Sequence, residues 1–350
     1  MKKQIIVTTG YMGSGSSAVT DFLSEVQGIN VNNGDFEYII LHCPNGMFDL
    51  EDKLLIGNNA LRSDEAIHQF RKQMKNLYDL NNYWPGNYQN NVSEDFLRLV
   101  DRFISTITTA SVKGGYWYYT EMPINLKMQC LWYCKRLIGK ITNNKLSLKK
   151  PCRYNNLTLC FPSRELFYKS AKQFINSFLN YFEGEMVVLD QFLLPHNLFR
   201  IDRYFGDELK VIVVERDPRD VFLLNKYIWY PKKIDIPYPT DVVEFCNYYK
   251  GMRTTEISCH SNHILRIHFE DLVYNYETTA QNILNFLGIS EGRHVNKFNG
   301  FNPNVSISNT QLFKRLNHVE NEVKIIEKDL SDYLFKFPEG MVLENVNKYF

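Results

Sequence analysis

Between Gln4 and Val31 the chain runs through an apolar stretch, a glycine-rich bend, an amphipathic stripe and a second apolar stretch, and few folds accommodate that succession. Ile5 to Thr8 is the unbroken, β-branched type of segment that a strand buried on both faces requires. In "TTGYMGSGSSAV" (Thr8–Val19) Gly10 and Gly15 flank four residues, and glycines there let backbone N–H groups turn toward a common centre. Val19, Phe22, Leu23 and Val26 then fall at i, i+3, i+4 and i+7, the stripe of a helix that Gly28 closes. Ile29–Val31 follows as a second strand. Strand, loop, helix and strand make a βαβ opening, and a parallel sheet follows from it.

The alternation resumes from Ser163. Behind Ser163 as N-cap, Phe167, Ala171, Phe174, Phe178 and Phe182 stripe a long helix. "MVVLD", "KVIVVERD" and "HILRIHFED" read as three more strands that end in charged residues. Helices are expected after Pro218, over Val242–Ile257, and where Ala280, Ile283, Leu284 and Leu287 precede Gly288. The expected fold is α/β: one domain over 1–350, three-layered α/β/α with a central, mostly parallel sheet of P-loop NTPase-like type. Charged groups just after strand ends put its site at the carboxyl edge of that sheet.

A helical insertion is expected over 53–162, with helices over Asp64–Leu80 and Ser93–Ile107 and an aromatic stretch "GGYWYYTEM". Its basic, apolar piece "LKMQCLWYCKRLIGK" reads as a helix that covers the sheet or lines an acceptor cleft, or else lies on a membrane surface. Cys130 and Cys134 share one face of that piece and read as two small hydrophobes, since a two-thiolate metal site lacks its other ligands.

Bulk properties narrow the function classes. Lys and Arg number 40 against 39 acidic residues, a net charge of +1, which gives no one-signed field for nucleic acid. No apolar run approaches a transmembrane length. The seven cysteines form no C-x-x-C pair, so reduced thiols and a cytoplasmic location are expected.

The bend itself fits the frame of a phosphate-binding loop, but Ser16 stands where such loops carry lysine. Glycine-released N–H groups, the hydroxyls of Ser16 and Ser17, and a helix N-terminus still suit an anion. Without the lysine and its metal partner, ATP hydrolysis is a poor fit, and no metal is expected. In "ERDPRD" (Glu215–Asp220), Asp217 is placed to cap a helix, Pro218 suits its first turn and Asp220 its dipole. Arg216 is thereby held at the sheet edge to grip a second phosphate, unless it pairs with Glu215 or Asp217.

The two stretches together resemble the sulfotransferases that use 3′-phosphoadenosine 5′-phosphosulfate. "RIHFEDLV", "ETTAQNILNFLGI" and "SISNTQLF" are similar to later segments of that family, so the resemblance covers residues 4–50 and about 185–316. It implies sulfonate transfer to a hydroxyl, with a carbohydrate or other small molecule as acceptor. It assigns Gly13, Ser14, Gly15, Ser16 and Ser17 to the 5′ end of the donor, Arg216 to its 3′-phosphate, and Asn309 and Thr310 to a C-terminal cofactor-clasping segment. Gly13 stands where the family loop carries a basic residue, which Arg219, Lys226 or Lys314 would replace. Leu224 stands where a serine is expected, with Asn225 beside it as substitute donor. The expected base is Glu37, which matches a glutamate after the second strand in carbohydrate-acting relatives; His42 and Asp190 are the alternatives, followed by Asp35, His196 and Glu121. The competing functions are nucleotide binding without catalysis, which the substitutions at Gly13 and Leu224 favour, and a P-loop kinase.

Overall fold

In the computed structural model, residues 3–31, 36–79, 86–113, 126–146, 156–234, 238–259 and 261–337 are described. Asp35, Glu121, Cys152 and the stretch "GGYWYYTEM" lie outside them. The described residues group into two units, one from stretches within 1–42 and 179–350, the other within 43–82 and 86–178.

The first unit holds a five-stranded sheet of β1 (Gln4–Gly10), β2 (Ile29–Val31), β3 (Met186–Val188), β4 (Leu209–Glu215) and β5 (Ile264–His268). Their order is β2-β3-β1-β4-β5, and every pairing is parallel. Ile5 to Gly10 of β1 lie opposite Leu209 to Val214 of β4. Successive strand residues point to opposite faces, so a sheet covered on both sides needs apolar residues without alternation. Ile5, Ile6 and Val7 are all fully buried, as are Val211 to Val214. On one face Ile6, Ile212 and Val214 pack with Val19, Phe22 and Leu23 of the helix Ser16–Ser24 and with Ile283 and Leu284 of the helix Tyr276–Leu287. This is an α/β fold, with a parallel central sheet and flanking helices.

A second core gathers Phe222, Phe245, Tyr249, Leu312 and Ile326. It rests on the helix Pro218–Leu223, the π-helical turn Leu224–Trp229, and the helices Val242–Thr254 and Glu320–Asp329. Asp217 caps the first of these as expected, accepting the Arg219 N–H at 2.9 Å.

The second unit contains the helices Met47–Leu55, Ala60–Tyr78, Phe96–Ile107 and Leu126–Ile141, and most of Arg164–Leu179. It also contains an antiparallel strand pair, Ala110–Lys113 with Asn156–Leu159, which a purely helical reading of the insertion omits. Its core is aromatic: Phe103 stands 5.8 Å from Phe70 and 5.5 Å from Phe174, ring centre to ring centre. Ser163 caps its helix by accepting the Leu166 N–H at 3.1 Å. The helix Leu126–Ile141 differs from the others, because none of its described side chains is buried.

Candidate active site

The glycine loop is shaped by close approaches. A Cβ on Gly10 would lie 2.5 Å from the Val214 carbonyl oxygen of β4, so any side chain there would part the two strands. Gly15 has φ +85°, and a Cβ on it would stand 2.9 Å from the Phe269 ring, so both backbone and space call for glycine. Between them the Ser14 N–H donates to the Tyr11 carbonyl at 2.8 Å. The helix that starts at Ser16 has no side-chain cap. The N–H groups of Ser16 and Ser17, which no helix start can satisfy from within, therefore have no side-chain acceptor either and suit an anion. Ser14 is buried, and its hydroxyl has no hydrogen-bond partner among the described residues.

Beside the loop, the residues after β3 form a connected polar group. Thr8 Oγ1 donates to Asp190 Oδ1 at 2.9 Å and lies 2.7 Å from Thr20 Oγ1. Gln191, with φ +55°, links four partners. Its N–H donates to the Thr8 carbonyl at 2.9 Å, its Nε2 to Ser16 Oγ at 3.0 Å, its Oε1 accepts from Thr9 Oγ1 at 3.1 Å, and its carbonyl lies 2.7 Å from His42 Nε2. Because the Ser16 oxygen accepts from Gln191, its own proton is left to donate elsewhere. Tyr38 N–H donates to the Asp190 carbonyl at 2.9 Å, which fixes Glu37 beside Asp190. Burial, and then the Asp190 charge, push the Glu37 carboxyl up to about 7. Burial pulls His42 down to about 4, so its imidazole is neutral and bound to the Gln191 carbonyl. Glu37, His42, Asp190 and Ser16 thus stand on one connected edge, whereas His196 bonds to the Met252 carbonyl at 3.0 Å, apart from this group.

Arg216 departs from the expected pose. It is only 5% exposed, and its Nη1 and Nη2 donate to the carbonyls of Gly13 (3.0 Å) and Asn309 (2.6 Å). The guanidinium therefore ties the glycine loop to the 307–310 turn, and lies over the Phe269 ring at 4.8 Å. Burial pulls Arg216 below the usual guanidinium range, opposed by the charges of Asp220, Glu270 and Asp217. Asp220 accepts the N–H groups of Gln311 and Leu312, each at 2.8 Å, and Glu270 accepts that of Asp217 at 3.0 Å. Burial and the Asp217 charge push Asp220 up to about 7; burial and the Asp220 charge push Glu270 to about 8. Asp220 thus holds the C-terminal segment in addition to any service to its own helix.

The substitute groups are committed as well. Asn225 is buried and its Nδ2 donates to the Tyr238 carbonyl at 3.1 Å, so that donor is not offered outward. Thr310 Oγ1 donates to the Ile307 carbonyl at 2.9 Å and is bonded to the Tyr274 hydroxyl. Arg219 pairs with Asp217 and Glu327, both at 2.7 Å, and Lys226 with Glu322 at 2.5 Å, because each lies beside a carboxylate of its own layer. Of the three cations expected to replace the loop lysine, Lys314 alone is exposed and has no carboxylate within salt-bridge distance among the described residues. Around Arg216 several buried polar atoms have no partner among the described residues: Arg216 Nε, Asn309 Oδ1, Gln311 Oε1 and Glu270 Oε2. Such atoms are costly in a folded interior, and their concentration at one place marks a polar site. Gln191 and Glu270 escape sequence reasoning. The only signals for them are that each follows a strand end, Gln191 after "VVLD" and Glu270 within "HFED".

Residues 132–291 match a model of the sulfotransferase family, a span that includes β3 to β5 and the Arg216 turn but not the glycine loop. A search of the curated proteins finds no match. Among solved structures, a sulfotransferase domain from the curacin biosynthetic pathway aligns at 12% identity over 97% of this chain and 99% of its own, TM-score 0.43. The sulfotransferase domain from the Synechococcus PCC 7002 olefin synthase aligns at 15% identity over 97% and 98%, TM-score 0.39. The sulfotransferase STF9 from Mycobacterium avium aligns at 12% identity over 95% and 77%, TM-score 0.34. Over residues 132–291, the chain is thus similar to the sulfotransferase family.

Proposed function

We propose that the chain transfers a sulfonate from 3′-phosphoadenosine 5′-phosphosulfate to a hydroxyl, most simply one on a carbohydrate. The observation that carries this reading is a carboxyl, Glu37, held near 7 on the same sheet edge as an anion-suited glycine loop. The loop N–H groups with Ser14, Ser16 and Ser17 would hold the phosphosulfate end. Arg216 serves the other anionic end by joining the two stretches, with its Nε as an unpaired donor among the described residues. In the transfer the acceptor oxygen forms a bond to sulfur, the bond from sulfur to the phosphate oxygen breaks, and the hydroxyl proton passes to the Glu37 carboxylate. The phosphate leaves as 3′-phosphoadenosine 5′-phosphate. The scattered thiols fit a cytoplasmic setting.

One observation favours binding without turnover: Arg219 and Lys226 are committed to carboxylates, so neither is free to meet charge on the leaving phosphate. Thermal shift with 3′-phosphoadenosine 5′-phosphate, without magnesium, tests the site. Stabilisation by the bisphosphate supports it, and preference for magnesium ATP overturns it in favour of a kinase. Transfer of labelled sulfonate to a panel of glycans then separates an enzyme from a binding protein.

A further inference from the structure

The helix Leu126–Ile141 carries an apolar face that none of the described residues buries. Leu126, Cys130, Tyr133, Cys134, Leu137 and Ile141 fall at i, i+4, i+7, i+8, i+11 and i+15, one face of a 3.6-residue period. All six are exposed, with Leu126 at 79%, Tyr133 at 68%, Leu137 at 55% and Ile141 at 78%. A helix of this length is marginal in water unless something covers its apolar face.

Its charges indicate what does. Lys127, Lys135, Arg136, Lys140 and Lys145 lie within residues 126–146, and no Asp or Glu does, in a chain whose net charge is only +1. By the same period Lys127 borders the apolar face on one side and Lys140 and Arg136 on the other, where long cationic side chains can reach past an apolar boundary to anionic groups. A second copy of this face would bring like charges together with no acid in the segment to offset them. Nucleic acid would satisfy the cations and leave the apolar side chains in water. Among the described residues no helix is long and apolar enough to cross a membrane, so this one would lie along the surface.

We propose that the helix Leu126–Ile141 docks the protein on an anionic lipid surface, its apolar face among the acyl chains and its cations on the headgroups. The full chain should co-sediment with phosphatidylcholine–phosphatidylserine vesicles at least about tenfold more than with phosphatidylcholine alone, and high salt should reduce the difference. Tyr133→Glu with Leu137→Glu should abolish sedimentation without changing the thermal unfolding midpoint. Lys127→Gln with Lys140→Gln should lose the preference for phosphatidylserine. Absence of sedimentation with either vesicle overturns the proposal, as does sedimentation that survives the double glutamate variant. A dimer, seen by light scattering, that the glutamate pair converts to monomer would assign the face to a second copy instead.

Discussion

Ser16 and Gln191 test the loop at the level of single groups. If Gln191 acts by occupying the Ser16 oxygen and freeing its proton, the two side chains share one contribution to anion binding. Ser16→Ala should weaken binding of 3′-phosphoadenosine 5′-phosphate by about tenfold, on the order of 1.4 kcal/mol for a hydrogen bond to a charged group. Gln191→Met should weaken it comparably in the wild type and hardly at all in Ser16→Ala; additive losses by calorimetry would show that the pair is not coupled. Glu37 is tested by pH. A base must be ionised to take a proton, so kcat/KM should rise toward a plateau above about pH 7. Glu37→Gln should remove turnover and leave nucleotide affinity nearly unchanged. Asp190→Asn, which deletes the like charge, should move the rising limb to lower pH. Gln191 was not legible in the sequence because its role depends on a left-handed backbone and on a partner 175 residues away.

At the scale of elements, the turn after β4 holds more than its own helix. Arg216→Ala would leave the Gly13 and Asn309 carbonyls unpaired and remove the cation among Asp217, Asp220 and Glu270. The expected loss is about 3–5 kcal/mol of stability by denaturant unfolding, with bisphosphate affinity lost alongside. Arg216→Lys should rescue little, since one ammonium cannot reproduce the planar fork that serves two carbonyls. The strands were readable because their burial on both faces leaves unbroken apolar runs, and their helices because the stripes are wide. Where the stripe is narrow the reading fails: Glu320–Asp329 buries only Val323 and Ile326, and Met47–Leu55 is cut by an insertion boundary placed at residue 53.

For the molecule as a whole, the interior carboxyls set how stability depends on pH. Asp220 and Glu270 hold their protons in the fold to about 7 and about 8, above the ordinary carboxylate range, so folding takes up protons. Their contribution is full below about pH 4 and is lost as the pH rises through those values. The unfolding temperature should therefore fall between about pH 4 and pH 8 and level off above that, and Glu270→Gln should flatten the decline. A decline of the same slope in the variant would place the proton uptake elsewhere.

The clamp at Arg216 also bears on how the protein is made. Its guanidinium needs the carbonyls of Gly13 and Asn309, which enter the polypeptide almost three hundred residues apart. During synthesis the loop and the first helix leave the ribosome early, yet the cation that steadies them cannot complete its contacts until residue 309 has been added. A nascent chain stopped short of that point would carry an unfinished cradle, a window in which a chaperone has most to hold.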